Sequence, residues 1–360
     1  MIEHKNPKLM EWFDRELRVN PIYVLYHGYY APVRYEILKN FLLVDHDDER
    51  LIQTEQDMKT ATRRVNLLLT LERIIYHIDK FEESRKEEML VKLASMAKEL
   101  RFYYCSKNMT YIRKTLALLI RYQNDDGSFP VSPAANIFII ETFLEYGIVT
   151  NPYLEKAMKW LLHQQNPDKG WGTTDEGHSD IWMTCKVLHA FSYCARYSNN
   201  TKIRKGLNFV LNHLYEENRG GIIEGREAWQ NLSNGFMLQE SYSGGILSVL
   251  EMLARLNMSY EDPRISKMLE WLKDRQMRSG HWPSQTYDPE TKRSDERVSM
   301  RVVRVLKLFY IMPMRGTATI KTFRIKQDGR TSSKRPSFLQ KGEIVQNDEE
   351  TEKIKGEKEQ

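Results

Sequence analysis

A spacing that recurs four times constrains this chain more than any other feature. An amphipathic stretch ends in Gln, a short polar turn holding Gly follows, then an aromatic, then a second apolar stretch with small residues. The first copy places Gln123, Gly127 and Phe129 in that order, the second Gln165, Gly170 and Trp171, and the fourth Gln276, Gly280 and Trp282. The third is degenerate, opened by Phe209, with Leu214 at the Gln position and Gly220-Gly221 closing it. In the other three a large apolar residue, Leu118, Trp160 or Trp271, stands five before the Gln. Glycine lets a chain turn sharply after a helix. The Gln amide is suited to backbone groups left unpaired where the next helix begins, and the aromatic to cover them. Each unit is therefore expected to be a helical hairpin that buries its apolar face only against its neighbours.

The rest of the chain reads as helix. Residues 37–43, 65–75 and 89–97 carry apolar side chains at three- and four-residue spacing. Pro32, Asn151-Pro152 and Asp262-Pro263 are start signals, a proline in the first turn and, in the last two, a capping side chain ahead of it. The expectation is an all-α protein. Residues 1–110 would be an N-terminal helical region, 111–314 the repeat region, and 315–360 a charged, disordered tail with little to bury. Within that tail, Thr317 to Lys326 alternates enough for one short strand.

Composition removes several classes of function. With 54 Lys+Arg against 49 Asp+Glu, the net charge of +5 is too mild to call for a nucleic acid partner. No run approaches the roughly 18 apolar residues of a membrane span, and residues 1–7 lack the apolar stretch of a secretory signal. Three cysteines, Cys105, Cys185 and Cys194, do not make a disulfide framework, so a cytoplasmic setting is expected. Phosphate-loop and nucleophile motifs are absent, and the sequence calls for no cofactor.

The fourth repeat, Gln276-x-x-x-Gly280-x-Trp282, resembles the QW repeat of the squalene and terpenoid cyclases, and the first two resemble variants of it. The same repeat runs, loosely defined, through the protein prenyltransferase β-subunits. The segment from Pro32 to Glu49 is also similar to the N-terminal region of bacterial and archaeal squalene-cyclase-like repeat proteins of unassigned activity. The resemblance implies an (α/α) toroid, with outer helices carrying Gln and Trp and inner helices lining a central cavity. It covers residues 110–312, four hairpins of six, and leaves open whether residues 1–110 complete the ring.

The chemistry of such families can be tested residue by residue. A prenyltransferase zinc site needs Asp, Cys and His ligands. Met183 stands where the His would be and Ser241 about where the Cys would be, so no metal site is expected. The Asp-x-Asp-Asp acid of class II cyclases is matched in letters by Asp45-His46-Asp47-Asp48, where crowded carboxylates could keep one proton on Asp47. Glu49-Arg50 follow instead of an apolar helix, so a helix cap is the competing reading. The Gly-Cys-Gly-Glu-Gln of a complement-type thioester is absent.

Long polar loops between each turn glycine and the next inner helix remain: 173–180, 224–229 and 287–295. The repeat places them at one end of the ring. His178 and Asp180 are the acid–base candidates there, and Trp182, Trp229, Glu240 and Tyr242 the ligand-lining ones. Asp180 reads more often as an N-cap, and His163, His189 and His213 as packing residues. Three functions fit: binding an apolar, isoprenoid ligand with protonation-initiated cyclisation; a non-catalytic toroid holding a protein partner on its loop face; and a carbohydrate-active (α/α) barrel using paired loop carboxylates.

Overall fold

The computed structural model describes residues 6–172, 179–215, 232, 245–284 and 296–311. By its contacts the chain divides into Met1–Ile320 and Lys321–Gln360, and every described residue lies in the first. The short strand expected near residue 320 and the tail lie outside the described residues.

The regular elements among the described residues are all helical, with one isolated bridge between Trp171 and Asp180 and no strand. The helices are α1 (Pro7–Glu16), α2 (Pro21–Tyr26), α3 (Ala31–Glu36), α4 (Glu49–Thr60), α5 (Thr62–His77), α6 (Glu83–Phe102), α7 (Thr110–Arg121), α8 (Pro133–Glu145), α9 (Pro152–His163), α10 (Ile181–Ser192), α11 (Thr201–His213), α12 (Gly245–Arg255), α13 (Pro263–Asp274) and α14 (Glu296–Leu306). The start signals act as expected. Asn151 accepts the Tyr153 N–H at 2.9 Å, Asp262 that of Arg264 at 3.0 Å, and proline occupies the first turn of α3, α9 and α13.

Two concentric layers result. The inner one runs α6, α8, α10, α12, α14, each packed on the next; α14 then packs on α2 and α3. α3 meets the end of α6 through Tyr30, whose hydroxyl lies 2.8 Å from that of Tyr103, and through Glu36, which accepts a hydrogen bond from the Tyr104 hydroxyl. The inner helices thus close on themselves. α5, α7, α9, α11 and α13 lie outside them, each against its inner neighbour. This is an (α/α) toroid.

The polar turns explain how the outer layer is held. Gln123 Nε2 donates to Gly127 O in its own turn (2.8 Å) and to Tyr153 O at the start of α9 (3.0 Å). Gln165 does the same to Lys169 O and Lys202 O, both at 2.8 Å, reaching the start of α11. In the degenerate third copy Leu214 is fully buried, and the adjacent Tyr215 hydroxyl supplies the missing bond, to Arg264 O at the start of α13 (2.8 Å). The last copy closes the ring. Gln276 donates to Val19 O (2.8 Å) and accepts from Val19 N (3.1 Å), just ahead of α2. Gly127 and Gly280 take φ of +101° and +85°, where a side chain is strained.

The aromatics anchor the inner layer to these turns. Trp171 and Trp282 are buried, and each indole N–H donates to the carbonyl ten residues earlier, Leu161 O at 2.9 Å and Leu272 O at 2.7 Å. The backbone N–H of Phe129, Trp171 and Trp282 is taken up by an inner-helix side chain in each case: Asn136, Thr184 and Ser299.

Candidate functional site

On the inner helices, the less deeply buried or charged residues recur at i, i+4, i+7 and i+11, which places them on one helix face. On α10 that stripe is Trp182, Lys186, His189 and Tyr193, all only half-buried on a helix otherwise closed to water. On α8 it is Ala134, Phe138, Glu141 and Glu145; on α6, Val91, Ser95, Lys98 and Phe102. α14 and the π-helical turn that follows it continue it with Arg297, Arg301, Arg304 and Leu308, and α12 with Ser248, Glu251 and Arg255. Neighbouring stripes touch, so together they form the inner lining of the ring.

At the third level of this lining a belt of ionic contacts crosses from helix to helix. Lys98 lies 2.6 Å from Glu141 and 3.1 Å from Glu145. Glu141 also meets His189 Nδ1, while His189 Nε2 is 3.8 Å from Glu251. Glu251 pairs with Arg301 and Arg255, both at 2.9 Å, and Arg301 donates to Ser248 Oγ at 3.0 Å. Arg304 carries the belt on to Glu36 at 2.9 Å. Arg255 stacks over Tyr193, 4.3 Å from its ring centre, and Lys98 over Phe138 at 4.6 Å.

Burial works against the charges of Glu141, Glu251, Lys98 and His189, and their partners outweigh it. The carboxyl of Glu141 is held low by Lys98 and His189, and that of Glu251 well below its ordinary value by Arg301 and Arg255. Lys98 is raised by Glu141 and Glu145, and His189 by Glu141 and Glu251. The imidazole is therefore biased toward the charged form, with Nδ1 donating to Glu141. His189 Nε2 is buried without a hydrogen-bond partner among the described residues.

Toward the beginning of α10 the balance reverses. Burial raises the carboxyl of Asp180, opposed by the Met183 N–H and by Lys186, and burial lowers the ammonium of Lys186, opposed by Asp180 and Glu141. Asp180 is the N-cap of α10, accepting the Met183 N–H at 2.6 Å, while its own N–H goes to Trp171 O at 3.1 Å. The lining thus offers an indole, an ammonium, an imidazole and a phenol in a column, beneath a carboxyl whose burial favours its protonated form.

Of the residues singled out from sequence, Asp180 and Trp182 stand on α10, with Trp182 on the lining. His178, Trp229, Glu240 and Tyr242 lie outside the described residues, as do loop residues 224–229 and 287–295. Asp47 is exposed on the turn before α4, without the low-dielectric wall that a shared proton requires. Its neighbour Asp48 caps α4, accepting the Arg50 N–H at 2.9 Å, and binds the Arg50 guanidinium at 2.6 Å. His163 is exposed, bonded to Lys159 O, and His189 belongs to the belt, so neither is a packing residue. Sequence reading passed over Lys98, Glu141, Glu251 and Arg301. Their signal was a charge set inside an apolar run, as in Phe-Ile-Ile-Glu-Thr-Phe-Leu at 138–144 and Ser-Val-Leu-Glu-Met-Leu at 248–253.

No family model matches the chain. Among solved structures, it is similar to the unsaturated glucuronyl hydrolase of Bacillus sp. GL1, described as responsible for the degradation of glycosaminoglycan. The match has 11% identity and a TM-score of 0.40, over 82% of this chain and 87% of that one. The apo type II terpene cyclase MstE of Scytonema matches with 11% identity and a TM-score of 0.28, over 68% and 97%. A protein from Actinoplanes matches with 13% identity and a TM-score of 0.34, over 61% and 74%. Likeness at this level transfers no activity; the toroid rests on the chain's own contacts. Among the described residues, no helix is long and apolar enough to cross a membrane.

Proposed function

We propose that this toroid takes an acidic saccharide into its centre, against the stripe Trp182–Lys186–His189–Tyr193 of α10. One observation carries the reading: the lining mixes ionic side chains with aromatic ones instead of presenting a hydrocarbon wall. A sugar offers apolar C–H faces, which suit an indole, and hydroxyls, which suit paired carboxylates and guanidiniums. Its carboxylate suits the cations of the lining, Lys186 on α10 and Arg297 and Arg301 on α14. Glu141 and Glu251, held ionised, serve as hydrogen-bond acceptors; Asp180, raised by burial, is the candidate proton donor.

A second reading is favoured by that same carboxyl. In a terpenoid-cyclase-like toroid of QW type, Asp180 would protonate an alkene of an isoprenoid and Trp182 would stabilise the cation. Calorimetric titration with a glucuronate-containing disaccharide, a neutral disaccharide and geranylgeraniol separates the two. Binding of the acidic sugar alone is the expected result. Binding of geranylgeraniol alone would replace it with the cyclase reading, and binding of none would leave the toroid as a scaffold for a protein partner on its loop face.

A further inference from the structure

A second site lies away from the inner lining, between α2, α3 and α4. A cleft of about 350 Å³ opens there, lined by Tyr26, His27, Arg34, Arg50 and Thr54, with Gly28 and Leu38 completing its wall. That is the small end of the range for small-molecule pockets. Two arginines enter it from different helices, and each is held from one side. Arg34 donates to Gly28 O (2.9 Å) and to Asp57 (2.8 Å). Arg50 is clamped by Asp48, Nε to Oδ1 at 2.9 Å and Nη2 to Oδ2 at 2.6 Å, and Tyr26 lines the same cleft.

A guanidinium has five N–H donors, and these bonds use only part of each set. Fixing the fork through its carboxylate removes most of the entropy a ligand would otherwise have to offset. The phenol of Tyr26 and the imidazole of His27, packed edge-on at 4.7 Å, add two further polar groups at the same wall. Forked donors from two directions around a small polar cleft suit a tetrahedral oxyanion, whose acceptors point to several sides, better than a planar carboxylate.

We propose that this cleft binds the phosphate group of a small phosphomonoester. The site sits on the segment that closes the ring. Residues 26–28 form its wall, and the next two backbone N–H groups, of Tyr29 and Tyr30, both donate to Glu296 on α14 at 3.1 Å. Occupancy would tie α2 and α3 to α4 at the seam where the N-terminal helices meet the last inner helix, and a ligand that binds only the folded chain raises its melting temperature.

The test is titration of the full chain at low ionic strength with inorganic phosphate, glycerol phosphate and citrate, followed by calorimetry and thermal melting. Saturable phosphate binding with a Kd of about 1 mM or tighter is expected. Arg50→Gln, a partly exposed position in the first turn of α4, should weaken it about tenfold or more. Arg34→Lys, which keeps the charge and loses the fork, should weaken it as well, and Arg63→Gln on α5 should leave it unchanged. Absence of saturable phosphate binding to the wild-type chain, equal binding in Arg50→Gln, or binding of citrate with none of phosphate would each overturn the assignment.

Discussion

The outer turns and the inner lining of this ring are built by opposite rules. The turns repeat chemistry: Gln123, Gln165 and Gln276 each tie their own turn to the segment that starts the next hairpin, and Tyr215 does so where the Gln is lost. The lining repeats only position. At its third level it carries Lys98, Glu141, His189, Glu251 and Arg304, basic and acidic side chains in turn on five successive inner helices. A turn solves the same problem in every hairpin, the unpaired backbone at a helix end, so one solution recurs. Charges in a ring must each meet a partner of opposite sign, so copying one residue around the belt would place like charges together.

The largest effects should come from breaking one member of either layer. Trp282→Ala removes a fully buried indole and should cost about 3–5 kcal/mol in urea unfolding. Glu251→Ala leaves Arg301, Arg255 and His189 without their shared carboxylate and should cost about as much, 3–5 kcal/mol. If Glu251→Ala is as stable as wild type, the belt is not an interlocked network and the contrast with the turns fails.

Next in size is the ring closure. Gln276→Ala deletes bonds to both Val19 O and Val19 N and should cost about 1–3 kcal/mol, measured the same way. Gln123→Ala, at a partly exposed turn between neighbouring hairpins, should cost about 1 kcal/mol or less. Equal losses would mean that the seam is an ordinary turn rather than the link on which the N-terminal helices depend.

The gentlest probe is pH. Glu36, held at about 2 against burial by Arg304, and Glu251 have lowered values. Their stabilisation is complete above the ordinary carboxylate pKa and drains away as pH falls toward the folded values. His189 is raised, so its contribution is complete below its ordinary value of 6.5 and is lost as pH rises through the folded one. Stability should therefore crest in mildly acidic solution, and His189→Gln should flatten the alkaline limb alone in melting curves taken across pH.

These two layers also differ in how legible they were. The turns could be read from sequence because the aromatic falls six residues after each Gln with a Gly between them, and the caps Asn151, Asp180 and Asp262 could be read from their residue types ahead of each helix. That Gln276 would find Val19, 257 residues away, could not be read, because only the closed ring brings them together. The belt was harder still. α8 is apolar on nearly every face, so its periodicity does not say which side looks inward, and Glu141 carries no mark of the Lys98 and His189 that meet it. The acid letters at residues 45–48 admitted two readings, an acid or a helix cap, and Asp48 serves as the cap.

The claim that the inner stripe of α10 is the ligand site is tested most directly by Trp182→Ala, read against glucuronate-disaccharide binding and thermal melting together. Trp182 is only half-buried, so the account predicts an affinity lowered about tenfold or more with a melting temperature close to wild type. Unchanged affinity in a folded Trp182→Ala chain would contradict it and place the ligand elsewhere on the toroid.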